Sequence, residues 1–216
     1  MKLLDIKERH SVRNFSDKAV PDEIIENILE AGRLAPSWVN VQPWHFIAIR
    51  DKETKELLKE LSSGQPHLVT ADTVIICCGN KMAWEYNNYK AVITSKPGIP
   101  QEKIDRLLSY PNFNQEGQEA VKLRCVEEVT YAVAYMTLEA HKNGLGCCII
   151  GAFGNELTET NPEVYEKVRE RLNLPEELMI ITLLPIGYSA EKNIAPKKRK
   201  QKEDVVSYEK FGNKTK

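Results

Sequence analysis

Two short basic elements stand apart from the rest of this chain. RHSVR, Arg9 to Arg13, places two guanidinium groups, an imidazole and a hydroxyl within five residues, and PKKRK, Pro196 to Lys200, places four cations near the other end. Guanidinium forks and a hydroxyl suit a phosphate, because charge-assisted and bidentate hydrogen bonds fix an anion in one orientation. Together the two elements would clamp a phosphate from both ends of the chain. Taken singly, each has a plainer reading: a solvated helix exit for RHSVR, and a solvated tail or a nuclear import signal for PKKRK. A third element, APSWVNVQPW from Ala35 to Trp44, sets Ser, Asn and Gln among Trp and Pro. Directional polar groups on stiff apolar ground are how a flat heterocycle is commonly held. An ordinary helix-to-strand connector has the same composition.

Other chemistry finds little support. There is no G-x-x-x-x-G-K-[ST], no G-x-S-x-G and no H-E-x-x-H. GLGCCI starts like a dinucleotide fingerprint, but Ile149 stands at the third glycine position and a helix, not a strand, precedes it. The five cysteines include two adjacent pairs, Cys77-Cys78 and Cys147-Cys148, inside apolar runs. That arrangement reads as buried, reduced thiols rather than disulfides, zinc ligands or nucleophiles. The four histidines have no ligand-like spacing. No metal site and no catalytic side chain are expected.

The elements that must position these groups follow from patterning. With 216 residues, 42% hydrophobic and 28% charged, the chain suits one globular domain spanning 1–216. Its net charge of −1 gives the whole molecule no reason to seek nucleic acid or acidic membranes. No signal peptide or membrane span is read, so the expected location is cytoplasmic. Helices are expected from Lys2 to His10, from Asp22 to Gly32 with Ile24, Ile25, Ile28 and Leu29 as its stripe, from Asp51, from Cys125 to Lys142, and from Asn161. Strands are expected at Trp44–Arg50, Asp72–Gly79, Cys147 onward and from Leu178. Val126, Val129, Val133, Met136 and Ala140 form one face of the Cys125 helix, and other faces are apolar too, so it needs cover on more than one side. Between about 81 and 122 the pattern weakens to loop chemistry with one short helix, QEKIDRLL, and with Trp84, Tyr86, Tyr110 and Phe113; such an excursion reads as a lid. A basic arm covers about 192–216, with a strand-like stretch from Asp204 to Tyr208. Mixed helix and strand, with hairpin turns scarce, gives α+β or α/β around one sheet.

In order and spacing these segments resemble the nitroreductase family of FMN-dependent oxidoreductases. The match runs through RHSVRNF, VPDEIIENILEAGRLAPSWVNVQPWHFIAI, HKNGLGCCIIGAF, LPIGY and the terminal KKRK…EDVVSYE, covering Met1 to about Leu61 and Cys125 to Tyr208, with 81–122 matching loosely. The resemblance implies the α+β class, with a central, mostly antiparallel sheet flanked by helices, and an obligate homodimer built on a long interface helix. It implies FMN as cofactor, with Arg9 and Ser11 on its phosphate and ribityl chain, His10 beside them, and Arg13 against the N1–C2 carbonyl edge. Pro36, Ser37, Trp38 and Asn40 would come from the second subunit. The backbone at Ile150, Gly151 and Ala152 would approach flavin N5, Gln65 would meet the pyrimidine edge, and Lys197 and Arg199 would close on the phosphate. The implied reaction is ping-pong: hydride from NADH or NADPH to N5, then transfer to a nitroaromatic, quinone or related acceptor. A specialised reductase, such as a reductive dehalogenase, and a non-catalytic FMN-binding module are the alternatives. Two departures from the family pattern stand out: Gln201-Lys202 replace the usual Pro-Leu after the basic group, and Trp38 is bulky where smaller residues are common.

Overall fold

The computed structural model describes residues 3–109, 118–151, 161–191 and 197–214. Its centre is a four-stranded antiparallel sheet in the order β1-β2-β4-β3, formed by β1 (Trp44–Ile49), β2 (Thr73–Asn80), β3 (Gly146–Cys147) and β4 (Leu178–Gly187). β2 and β4 are the central pair, which is why both read as nearly continuous apolar runs. Within β2, side chains alternate between two layers. Val74, Ile76 and Cys78 join Leu58, Leu61, Val164 and Val168 on one face, and Ile75 and Cys77 join Ile25, Ile28, Val133 and Met136 on the other. The β2–β4 register shifts between Cys77 and Cys78, and β4's own alternation shifts with it: Leu178, Ile180 and Leu183 join the first layer, Leu184 and Ile186 the second.

Nine helices are described around the sheet: α1 (Leu3–Glu8), α2 (Asp22–Arg33), α3 (Lys52–Leu61), α4 (His67–Thr70), α5 (Tyr86–Thr94), α6 (Gln101–Leu108), α7 (Gln118–Lys142), α8 (Pro162–Leu172) and α9 (Lys202–Val205). Their starts follow local chemistry. Asp51 accepts from the Thr54 amide at 2.8 Å to cap α3, and Asn161 accepts from Val164 at 3.3 Å ahead of Pro162 to cap α8. α2 and α7 pack together over one face of the sheet, while α3 and α8 cover the other.

Four expectations need correction. The excursion is more helical than its composition suggests: Glu85 caps α5 through the Asn87 and Asn88 amides, and α7 starts at Gln118, ahead of Cys125. Tyr110 and Phe113 lie outside the described residues. Val126 is 42% exposed, so the buried stripe of α7 is Val129, Val133, Met136 and Ala140 without it. The third strand is two residues long, and Ile150 joins the sheet as an isolated bridge to Leu183. The tail stretch read as a strand from Asp204 instead begins in helix α9, because no sheet edge is paired with it. All five cysteines are buried free thiols, as their setting in apolar runs predicts.

Candidate functional site

The first basic element leaves α1 and docks alongside β3. Ser11 bridges Cys147 in parallel, and the Val12 amide donates to the Cys147 carbonyl at 2.9 Å. This approach is possible because residue 146 is glycine: a Cβ there would lie 2.4 Å from Val12 Cγ2 and 2.6 Å from Val12 Cβ. Further along, Glu191 accepts from the amides of Arg13 at 2.9 Å and Asn14 at 3.2 Å. The segment from Ser11 to Asn14 is thus pinned from two sides, by the Cys147 carbonyl and by the Glu191 carboxylate. Its long side chains are left to project from a fixed track.

The second basic element comes to the same place. Burial, and after it the charges of Arg9, Arg199 and Arg13, hold the Lys197 ammonium below its ordinary value, with Cys148 acting the other way. Burial pushes the Cys148 thiol up, while Arg13, a hydrogen bond with the Ser11 side chain, Lys197 and Arg9 act against it. Cys147 is likewise pushed up to about 12 by burial, against Arg9 and Lys197. Cations from both ends of the chain therefore share one locality around Ser11 and Cys148. No acidic residue appears among the influences on Lys197. Concentrated positive charge of this kind is an anion site.

α4 adds an edge to it. Gln65 is half-buried and its carbonyl accepts from Leu68, forming the turn that seats His67. His67 is 4% exposed, its Nε2 has no partner among the described residues, and burial first and Arg13 second lower its pKa. His10 donates from Nδ1 to the Glu8 carbonyl at 2.9 Å, which leaves its Nε2 buried and unpartnered too. On the β4 side, Ile150 and Leu183 exchange backbone hydrogen bonds at 2.9 Å, and Thr182 Oγ1 donates to the Ile150 carbonyl at 2.6 Å. Gly151 follows at once and is exposed. A Cβ at Gly151 would meet Thr182 at 3.6 Å and the Ile181 carbonyl at 4.0 Å, so packing among the described residues does not require the glycine. Ala152 lies outside the described residues.

The loop from Pro36 is a separate construction. Pro36 and Asn40 are exposed, and Ser37 and Trp38 half-buried. The Trp38 amide donates to Glu128 Oε1 at 2.8 Å, the Gln42 amide to Ser37 Oγ at 2.9 Å, and Lys96 Nζ to the Val39 carbonyl. The Trp38 ring stacks on Tyr89 of α5 with centroids 5.7 Å apart. Sequence reasoning missed four positioning residues. Gly146, Glu191 and His67 carry no pattern that marks them, whereas Glu128 was visible as a charge on an apolar helical stripe. Among the described residues no group of three or more His, Cys, Asp or Glu side chains is placed to hold a metal ion, and no helix is long and apolar enough to cross a membrane.

An antiparallel sheet between helix layers defines an α+β protein, on which cations from two distant segments share one locality. The nitroreductase family model matches residues 6–188, and the chain belongs to the nitroreductase family. It is 31% identical over 201 residues to the NADH dehydrogenase of Thermus thermophilus, covering 92% of this chain and 91% of that one. It is 28% identical over 208 residues to the FMN reductase [NAD(P)H] of Bacillus subtilis, covering 96% of this chain and 73% of that one. Among solved structures, the FMN-dependent nitroreductase of Clostridium difficile superposes with a TM-score of 0.68 at 26% identity, covering 96% of this chain and 98% of that one.

Proposed function

We propose that this chain, as one domain spanning 1–216, is an FMN-dependent NAD(P)H oxidoreductase that works as a homodimer. The observation that carries the reading is the gathering of Arg9, Arg13 and Lys197 around Ser11 and Cys148, with Arg199 acting on Lys197. These residues fit an FMN phosphate and ribityl chain: cations in excess, a hydroxyl, and the orphaned Nε2 atoms of His10, next to Arg9 in sequence, and of His67, which feels the charge of Arg13. Similarity to an FMN reductase and an FMN-dependent nitroreductase supports the same cofactor.

When bound, FMN supplies the two-electron chemistry between NADH or NADPH and a nitroaromatic, quinone or related acceptor. The chain's own residues bind and orient. Arg9, Ser11, Lys197 and Arg199 hold the phosphate end, with His10 beside them. Arg13 lies toward the pyrimidine carbonyls, where a fixed guanidinium stabilises negative charge that appears on reduction. Gln65 serves the pyrimidine edge, and the backbone at Ile150 and Gly151, with Ala152 after it, borders the reactive edge. No side chain is assigned an acid, base or nucleophile role.

The homodimer is supported by what one chain leaves open. Leu123, Val126, Tyr131 and Tyr135 on α7 are 70%, 42%, 41% and 45% exposed, an apolar face without cover in the monomer. Pro36, Ser37, Trp38 and Asn40 would reach the site of the second subunit.

The deciding experiment is an absorbance spectrum of the purified protein, then anaerobic addition of NADH and NADPH in turn. Flavin bands bleached by either nucleotide are expected. A yellow protein bleached by neither points to a binding module, and a colourless protein that takes up no FMN removes the reading.

A further inference from the structure

The Ser37–Gln42 loop has a backbone that its residues do not favour on their own. Val39, Asn40 and Gln42 have φ of 53°, 57° and 54°, in the left-handed region, and for the β-branched Val39 that is a costly conformation. Trp38 opens a short helical turn whose first amide has no acceptor inside the turn. The acceptor is Glu128, at 2.8 Å, on the middle of α7 and far away in sequence. Glu128 is 1% exposed, and its second oxygen, Oε2, has no hydrogen-bond partner among the described residues.

A carboxyl buried this deeply on the apolar side of a helix is expensive, and one hydrogen bond to a loop amide is its only described return. Packing alone would place a leucine there. The loop is held at three points: Trp38 N–H on Glu128, the Val39 carbonyl on Lys96, and the Trp38 ring on Tyr89. Two of these holds come from the α5 region and one from α7. Glu128 supplies the described hydrogen bond between the loop and the helix whose exposed face carries Val126, Tyr131 and Tyr135, beside the packing of Trp38, Val39 and Val41 in one cluster with Val121 and Cys125 of that helix.

We propose that Glu128 is a positioning residue: its carboxyl sets the backbone of the Ser37–Gln42 loop, and through that loop the face offered to the flavin and its substrates across the dimer. The inference rests on the flavin reading given above. It assigns Glu128 no contact with cofactor or substrate.

The test uses the full-length, FMN-loaded protein containing fluorotryptophan, with the Trp38 fluorine resonance identified by its loss in W38F. E128L is expected to move that resonance and to raise the KM for NADH and for a quinone acceptor on the order of tenfold, with a smaller effect on kcat. E128Q keeps an oxygen acceptor at the same reach and should restore both the resonance and the KM values. E128D, one methylene shorter, stays closer to the native core than E128L and should move the resonance in the same direction. A Trp38 resonance unmoved in E128L and E128D overturns the proposal, as does an E128Q protein that behaves like E128L. A moved resonance with unchanged KM values overturns the positioning role. If the protein takes up no FMN, the flavin reading fails instead, and the fluorine comparison still reports whether Glu128 anchors the loop.

Discussion

Val12 occupies the space that a side chain at residue 146 would need. A Cβ on Gly146 would lie 2.4 Å from Val12 Cγ2, closer than real contacts allow, and Val12 is itself buried at 1% exposure. This pair lets the Ser11–Arg13 segment lie against β3. Replacing Gly146 with Ala should cost about 1–3 kcal/mol of stability through overpacking, and should weaken FMN binding as Ser11 and Arg13 are pushed off their track. Denaturant unfolding together with FMN titration checks both effects. Unchanged affinity in a destabilised protein would show that the docking serves the fold alone.

The shared locality of the two basic elements predicts which terminal lysine matters. Lys197 feels Arg9, Arg13 and Arg199, and both Cys147 and Cys148 feel Lys197. Lys198 is exposed and is named in none of these influences. K197A should weaken FMN binding roughly tenfold to a hundredfold, the scale of one charge-assisted hydrogen bond, and K198A should change it little. The loss should grow smaller at high salt. Equal effects from the two variants would place the phosphate elsewhere.

Arg13 bears on two observables. Its charge is the second cause, after burial, of the lowered His67 pKa. R13A should therefore move the His67 titration upward, read from its imidazole proton resonances. The same variant should lower the reduction potential of bound FMN, because the reduced, anionic flavin loses a fixed cation. A flavin that stays bound at an unchanged potential removes Arg13 from that role.

At Gly151 the described residues leave room for a side chain, since a Cβ there meets none of them nearer than Thr182 at 3.6 Å. G151A should leave the melting temperature of the cofactor-free protein almost unmoved. It should nevertheless slow reduction of the bound flavin by NADH, because the added methyl stands where the backbone borders the ring. Stopped-flow reduction measures this, and an unaltered rate sinks the assignment of this turn.

Glu128 makes stability fall as pH rises. Burial raises its carboxyl to about 7 from 4.5, against the Trp38 amide and Arg124, with Glu127 adding to the rise. Between those two values the native state keeps a proton that the unfolded chain releases. The contribution is thus fully present below about 4.5 and is lost as pH passes through about 7, on the order of 3 kcal/mol at most. Urea unfolding across this range should show the decline in the unmodified protein and a flatter profile in E128Q. Parallel profiles would assign the effect to another group.

What was legible in the sequence was local. The apolar run at β2 announces a strand buried on both faces, Asp51 and Asn161 announce helix starts, and the paired cysteines inside apolar runs announce buried thiols. Where the apolar pattern thinned, in α5, the helix rests on capping by Glu85 and on packing of Tyr89 and Ile93, which composition alone does not display, whereas α6 is the short helix legible in QEKIDRLL. Val126 shows the opposite failure. Helical periodicity puts it on the buried stripe, and only the course of α7 over the sheet decides that it faces outward.

Residue types and their spacing therefore settled the kinds of element in this protein and the presence of two phosphate-suited basic groups, because propensity, capping and periodicity act within a turn or two of chain. They also carried the family, since the ordered motifs are themselves sequence. The chain fold decided that Arg9 and Lys197 share one electrostatic neighbourhood, that Gly146 yields its space to Val12, and that Glu128 reaches the amide of Trp38. Each of those joins residues far apart along the chain. No local preference encodes such a meeting; it comes from the packing of the whole sheet and its two helix layers.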